Sequence, residues 1–283
     1  MSVAVTPVRA TRAWMPARAP WLRVALYAAR RSRFAPLVWG LPMGALAAMV
    51  IAIFPSIEAS PQLQDLIESY PEAIRQAFGI SDDSFASAEG YLAGELFNLI
   101  APFACCFFVI HAIAGALAGA DQRATLDVVL TAPIARRHYP VGWLVGLLAV
   151  LLGTLLVLAL SMQAAAFAAG VDLSSGSTLA GVLNLWPLAV FGGGLACLLS
   201  GLLHRTVGVT GGATGVLVAM YFVEVLGRLS DTVARFDELS AFHYYGSAIE
   251  NGIDPGAFVG LTAAGLALAA VGCVLFERRD IRR

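Results

Sequence analysis

The sequence predicts an all-α integral membrane protein that crosses the bilayer six times, and three observations predict it. Of its 283 residues 59% are apolar and only 13% charged, against roughly 45–50% and 25% in soluble domains. Six windows of about 20 residues hold almost no charge, and a helix of that length spans a hydrocarbon core about 30 Å thick. The arginines, finally, alternate from loop to loop, with only Arg75, Arg228 and Arg235 off the majority side. Loops near span ends that carry Arg stay in the cytoplasm, so both termini are expected there. Of the 19 acidic residues, 13 fall in the three loops of the opposite side, as an even number of crossings requires. The net charge of −1 hides this polarity and gives no reason to expect a nucleic-acid partner.

The predicted spans run over residues 35–54, 91–118, 140–169, 178–203, 207–227 and 255–276. Residues 1–34 form a cytoplasmic N-terminus, and 35–283 the transmembrane domain. No cleavable pattern follows the Arg-rich start, so no targeting segment is expected. From Trp21 to Phe34 the apolar Leu22, Ala25, Leu26 and Ala29 recur at helical spacing against Arg23, Arg30, Arg31 and Arg33. That is the pattern of an amphipathic helix lying in the cytoplasmic interface; a simple basic anchor fits equally. After the first span, Ser60-Pro61 and Tyr70-Pro71 frame two short amphipathic helices on the outer leaflet.

The spans contain few polar groups, and each is costly in lipid. Glu95 opens the second span, where a structural role and a substrate contact are both open. Glu224 precedes Arg228 by one turn, which predicts an i,i+4 ion pair. His111 is expected to face the bundle interior and bond a neighbouring helix, with a pathway role as the alternative. Asn98, Gln163 and Asn184 are read as interhelical glue. Pro187 with Gly192–Gly194 predicts a kinked or irregular fourth span. Tyr244 and Tyr245 beside His243 are interfacial belt residues or an outer gate. All four cysteines lie in spans, where an apolar setting argues against disulfides and metal ligation alike.

No catalytic machinery is legible. The glycine-rich TGGATG at Thr210–Gly215 lacks the lysine of a phosphate loop, and its overlapping small-xxx-small pairs predict close helix packing instead. There is no HExxH, no Cys/His cluster and no carboxylate pair within a span, so neither an enzyme nor a resident metal or cofactor is expected.

The informative segment is the cytoplasmic connector GADQRATLDVVLTAPIARRHY from Gly119 to Tyr139. Thr125 can cap a helix with Leu126, Val129 and Leu130 on one side and Arg123 paired to Asp127 on another, ended by Pro133. Such a helix is either a rigid knob that a soluble motor grips or a connector resting on headgroups.

This run resembles the hallmark of ABC type-2 exporter permeases, at Asp121, Thr125, Leu126, Asp127, Val129, Leu130, Pro133 and Arg136. Ala124 replaces the usual glycine and Asp127 the usual glutamate. The FPSIEASPQLQDLIESYPEAIRQAFGI stretch, the AGELF start of span two and the closing FERRDI extend the likeness over most of the chain, to a bacterial branch often described as antibiotic or multidrug exporters. The resemblance implies a coupling helix at Asp121, Arg123, Thr125, Leu126, Asp127, Leu130 and Pro133. It also implies a soluble ABC ATP-binding subunit that holds ATP and magnesium, a second identical or related permease, and a place in the bacterial cell membrane. Glu95, His111, Glu224, Tyr244 and Tyr245 are the candidates for a pathway or gate. A secondary transporter would need intramembrane ion sites and an internal repeat, and neither is found; a membrane scaffold is the remaining alternative. Substrate and transport direction are not legible.

Overall fold

The computed structural model describes residues 19–59, 87–122 and 137–278. In chain order it contains α1 (Pro20–Arg31), α2 (Ala35–Glu58), α3 (Ala88–Leu92), a π-helical turn (Ala93–Phe97), α4 (Ile100–Gln122), α5 (His138–Ala169), α6 (Ser175–Leu202) and α7 (Thr206–Gly227). Then follow α8 (Asp231–Ala234), a 3₁₀ turn (Asp237–Leu239), α9 (Ala241–Tyr245), α10 (Ala248–Asn251) and α11 (Pro255–Arg278). Among the described residues α2, α4, α5, α6, α7 and α11 are long and apolar enough to cross a membrane; they are spans one to six. The expected outer-leaflet helices after span one, and the connector helix from Arg123 to Pro133, lie outside the described residues. One end of the bundle carries Arg30, Arg31, Arg33, Arg137, Arg205 and Arg278, the other Glu89, Asp172, Asp237, Glu238, Glu250 and Asp254. We call them the basic and acidic ends.

Helix boundaries follow local chemistry. Ser174 accepts from the N–H groups of Gly176 and Ser177 to start span four, and Asp254 Oδ1 does the same for Gly256 at 2.8 Å and Ala257 at 3.3 Å ahead of span six. Both place an acceptor on orphan first-turn donors. Gly170 ends span three with φ of 67°, a left-handed conformation that costs glycine nothing.

Span two departs from the expectation of a regular helix from residue 91. The Asn98 N–H bonds the Ala93 carbonyl at 2.8 Å, five residues back, so one extra residue enters the turn. The buried series Ala88, Leu92, Leu96 gives way to Phe97, Ala101, Cys105, a one-residue change of register that this insertion produces. In span four, where a kink or local irregularity was expected, α6 stays helical through Pro187 from Ser175 to Leu202.

Span four is the axis of the bundle. Its most apolar window is 78% buried, against 61% for span two, 56% for span three, 39% for span one, 28% for span six and 17% for span five. It packs most extensively on span six, and glycines make that possible. A Cβ on Gly194 would collide with the Gly265 carbonyl, and one on Gly201 would lie 2.7 Å from Leu275 and 3.0 Å from the Gly272 carbonyl. Without side chains at the crossing, backbones come close enough for extensive dispersion contact. Span three does the same for α1, since Cβ atoms at Gly142 and Gly146 would meet the backbone of Trp21 and Ala25. All four cysteines are free and buried; the Cys106 thiol points at the Leu188 carbonyl, 3.4 Å away.

Candidate functional site

At the basic end, the mountings of the span two to span three connector are defined. Span two ends at Gln122, one residue past Asp121. Gln122 Oε1 accepts from Thr206 Oγ1–H at 2.9 Å and from its N–H at 3.4 Å, tying span two to the first turn of span five. On the other side the buried Tyr139 O–H donates to the Ala116 carbonyl at 3.2 Å, tying the start of span three back to span two. These bonds tie span two to spans three and five at the two ends of the connector. The sequence held one hint, a glutamine at the end of an apolar span.

Beside these bonds, α1 and spans two and three line an open pocket of about 790 Å³ whose walls include Arg23, Tyr27, Arg31, His111, Ala112 and Trp143. Tyr27 and Trp143 meet edge to face at 6.0 Å. His111 does not face the bundle interior as expected. Val109, Ile110, Ile113 and Ala114 occupy that face, all fully buried, and the helical repeat sends residue 111 to the opposite one. There its ring stacks on Phe107 at 5.8 Å and 17°. Guanidinium and imidazole groups beside aromatic and small apolar walls suit an amphipathic molecule with an anionic or π-rich head.

Aromatic rings from three elements cluster at the acidic end. Phe103 of span two, Tyr221 of span five and Phe242 of α9 meet pairwise, with centroids 5.5, 5.3 and 5.3 Å apart. None of the three was singled out in the sequence, where each is one aromatic among many. The expected pair Tyr244 and Tyr245 splits, since Tyr244 is 44% exposed while Tyr245 is buried. Asn184 of span four donates its amide to the Tyr245 carbonyl, and burial pushes the Tyr245 phenol well above its ordinary range, so it stays neutral. Gln163 donates to Thr178 Oγ1 at 2.7 Å, so both residues do bond between helices. Glu95 is exposed on the π-helical turn.

Glu224 and Arg228 form the expected i,i+4 pair, 3.4 Å apart. The second Glu224 oxygen faces His243 Nδ1 at 3.6 Å, a contact from the next loop that spacing could not reveal. The TGGATG glycines differ from expectation too. Nothing lies within 4 Å of a Cβ on Gly211 or Gly215, and Gly212 would meet only the end of Leu199 at 3.1 Å.

The model of one family, the C-terminal domain of the multidrug efflux system permease Rv1217c, matches residues 23–277. This stretch covers most of α1 and, but for one terminal residue, all six crossings. The chain belongs to that family. It is therefore a multi-pass membrane permease of the multidrug efflux class, in agreement with the exporter likeness of its motifs. No curated protein matches the chain.

Proposed function

We propose that this permease is the membrane subunit of an ATP-driven ABC exporter in the bacterial cell membrane, with both termini and the basic end in the cytoplasm. A separate nucleotide-binding subunit holds ATP and magnesium and docks on the connector helix through Asp121, Arg123, Thr125, Leu126, Asp127, Leu130 and Pro133. A second copy or related permease completes the pathway, because six helices with few polar residues leave little room for a channel within one subunit. Closure of the motor displaces the connectors, and substrate leaves through the acidic end.

The observation that supports the reading most is the mounting of the connector. A lever works only if its base is stiff, and the bonds of Gln122 to Thr206 and of Tyr139 to Ala116 couple its base to three spans. Aromatic packing of Phe103, Tyr221 and Phe242 joins span two, span five and α9 at the acidic end, which supports these elements moving together when efflux opens that end. Glu95, Glu224, Tyr244 and Tyr245 border that end; His111 lines the cavity at the other.

The purified chain alone is expected to hydrolyse no ATP and to be retained with a soluble ATP-binding subunit when both are produced together. The double substitution Leu126→Asp and Leu130→Asp should abolish that association while membrane insertion stays intact. Association unchanged by it would remove the coupling-helix assignment. Gln122→Ala should leave association intact but lower ATP turnover in the reconstituted complex, because the lever then moves without span five.

A further inference from the structure

Span five ends at Gly227, and the loop beyond it folds back so that Asp237 and His243 return to Glu224, one turn inside the helix. One donor atom from each of the three lies within 4.8 Å of the others. We propose that Glu224, Asp237 and His243 hold a divalent transition-metal ion of the zinc type, which staples this loop to the acidic end of span five.

Two carboxylates converge where electrostatics opposes them. The unpaired carbonyls at a helix C-terminus carry partial negative charge, yet the Asp237 carboxylate is laid directly on that end. It occupies the space a Cβ at residue 227 would need, so Gly227 is what admits it. Glu224 Oε2 and Asp237 Oδ1 are both shielded from solvent and accept no hydrogen bond. A shielded carboxylate oxygen with no donor is costly, and buried charges are held by partners or metals. Arg228 does not relieve these two atoms, for it pairs with Glu224 Oε1. One guanidinium against two carboxylates leaves a negative charge, and a cation between the two orphan oxygens would compensate it.

The third donor points to the kind of cation. His243 Nδ1 stands 3.6 Å from Glu224 Oε2, close to the roughly 3.3 Å between two donors on a tetrahedral ion with bonds of about 2.0–2.1 Å. Tyr244 sits edge-on to the imidazole at 5.3 Å and 87°, restricting its swing. One imidazole nitrogen with two carboxylates, and a water completing the shell, suits zinc. Calcium and magnesium prefer all-oxygen shells. The three ligands stand at 224, 237 and 243, spaced unlike any short metal motif.

The test is a zinc titration of the full-length permease, purified in detergent with chelator and then dialysed, followed by calorimetry. One zinc per chain is expected to bind, with magnesium and calcium in excess failing to displace it. Asp237→Asn and His243→Gln should each weaken binding at least tenfold. Cobalt, used as a probe in place of zinc, should give visible absorption bands with the wild-type chain, and this readout does not depend on any variant folding. Absence of saturable zinc binding and of cobalt bands would overturn the proposal. Affinity unchanged in either variant would overturn the ligand set.

Discussion

Spans four and five are neighbours in the chain and alike in composition, glycine-rich and of similar hydropathy, 1.8 and 1.6, yet the first is 78% buried and the second 17%. What separates them is what their glycines meet. Gly194 and Gly201 of span four face Gly265 and Gly272 of span six, backbone against backbone, whereas Gly211 and Gly215 of span five face open space. Span five buries one stripe, Val209, Ala213 and Leu217, at a spacing of four. A small residue in a membrane helix is thus an opportunity for close approach, and only a matching small residue on another helix realises it.

The largest effect should come from closing the space between spans four and six. Gly265→Leu puts a side chain into the backbone of Val190 and Phe191, where nothing flexible can yield. A loss of about 3 kcal/mol or more is expected, read as the denaturant needed to unfold the protein in detergent; near-parental stability would disprove the close crossing. Next is Asn184→Leu, which strips the Tyr245 carbonyl of its donor and should cost about 1–3 kcal/mol, with thermal unfolding as the measurement. Removing the hydroxyl that mounts span three, Tyr139→Phe, should cost about 0.5–1.5 kcal/mol. The smallest effect is expected in span five. Gly215→Ala should leave monomer stability within about 0.5 kcal/mol, and a loss as large as that of Gly265→Leu would mean that its open face is packed after all. If that face instead meets a second permease, the variant will lower the yield of cross-linked dimer without changing monomer stability.

Much of the fold was legible because transfer into lipid depends on composition over a window, and composition is visible in one chain. All six crossings were read, and span five came within a residue at its start and none at its end. The ion pair of Glu224 with Arg228 was equally legible, since both lie on one helix a turn apart. His111 was misplaced because span two is apolar on all sides, and such a helix carries no periodicity to mark its inner face. The π-helical turn at Ala93–Phe97 was missed for a related reason: nothing in AGELF distinguishes an inserted residue from a regular one. Span four, where a kink or irregularity was expected, runs as helix through Pro187.

Sequence alone determined that this protein lives in a bilayer, how often it crosses, which end is basic and which acidic, and where its connector lies, because each is a sum over consecutive residues. Only the tertiary structure decided that span four is the axis while span five is left open, that Gln122 and Tyr139 tie span two to spans five and three, and that Asp237 and His243 come home to Glu224. Those are meetings between segments far apart in the chain, set by which surfaces fit, and the order of residues along one strand of polymer carries no local mark of them.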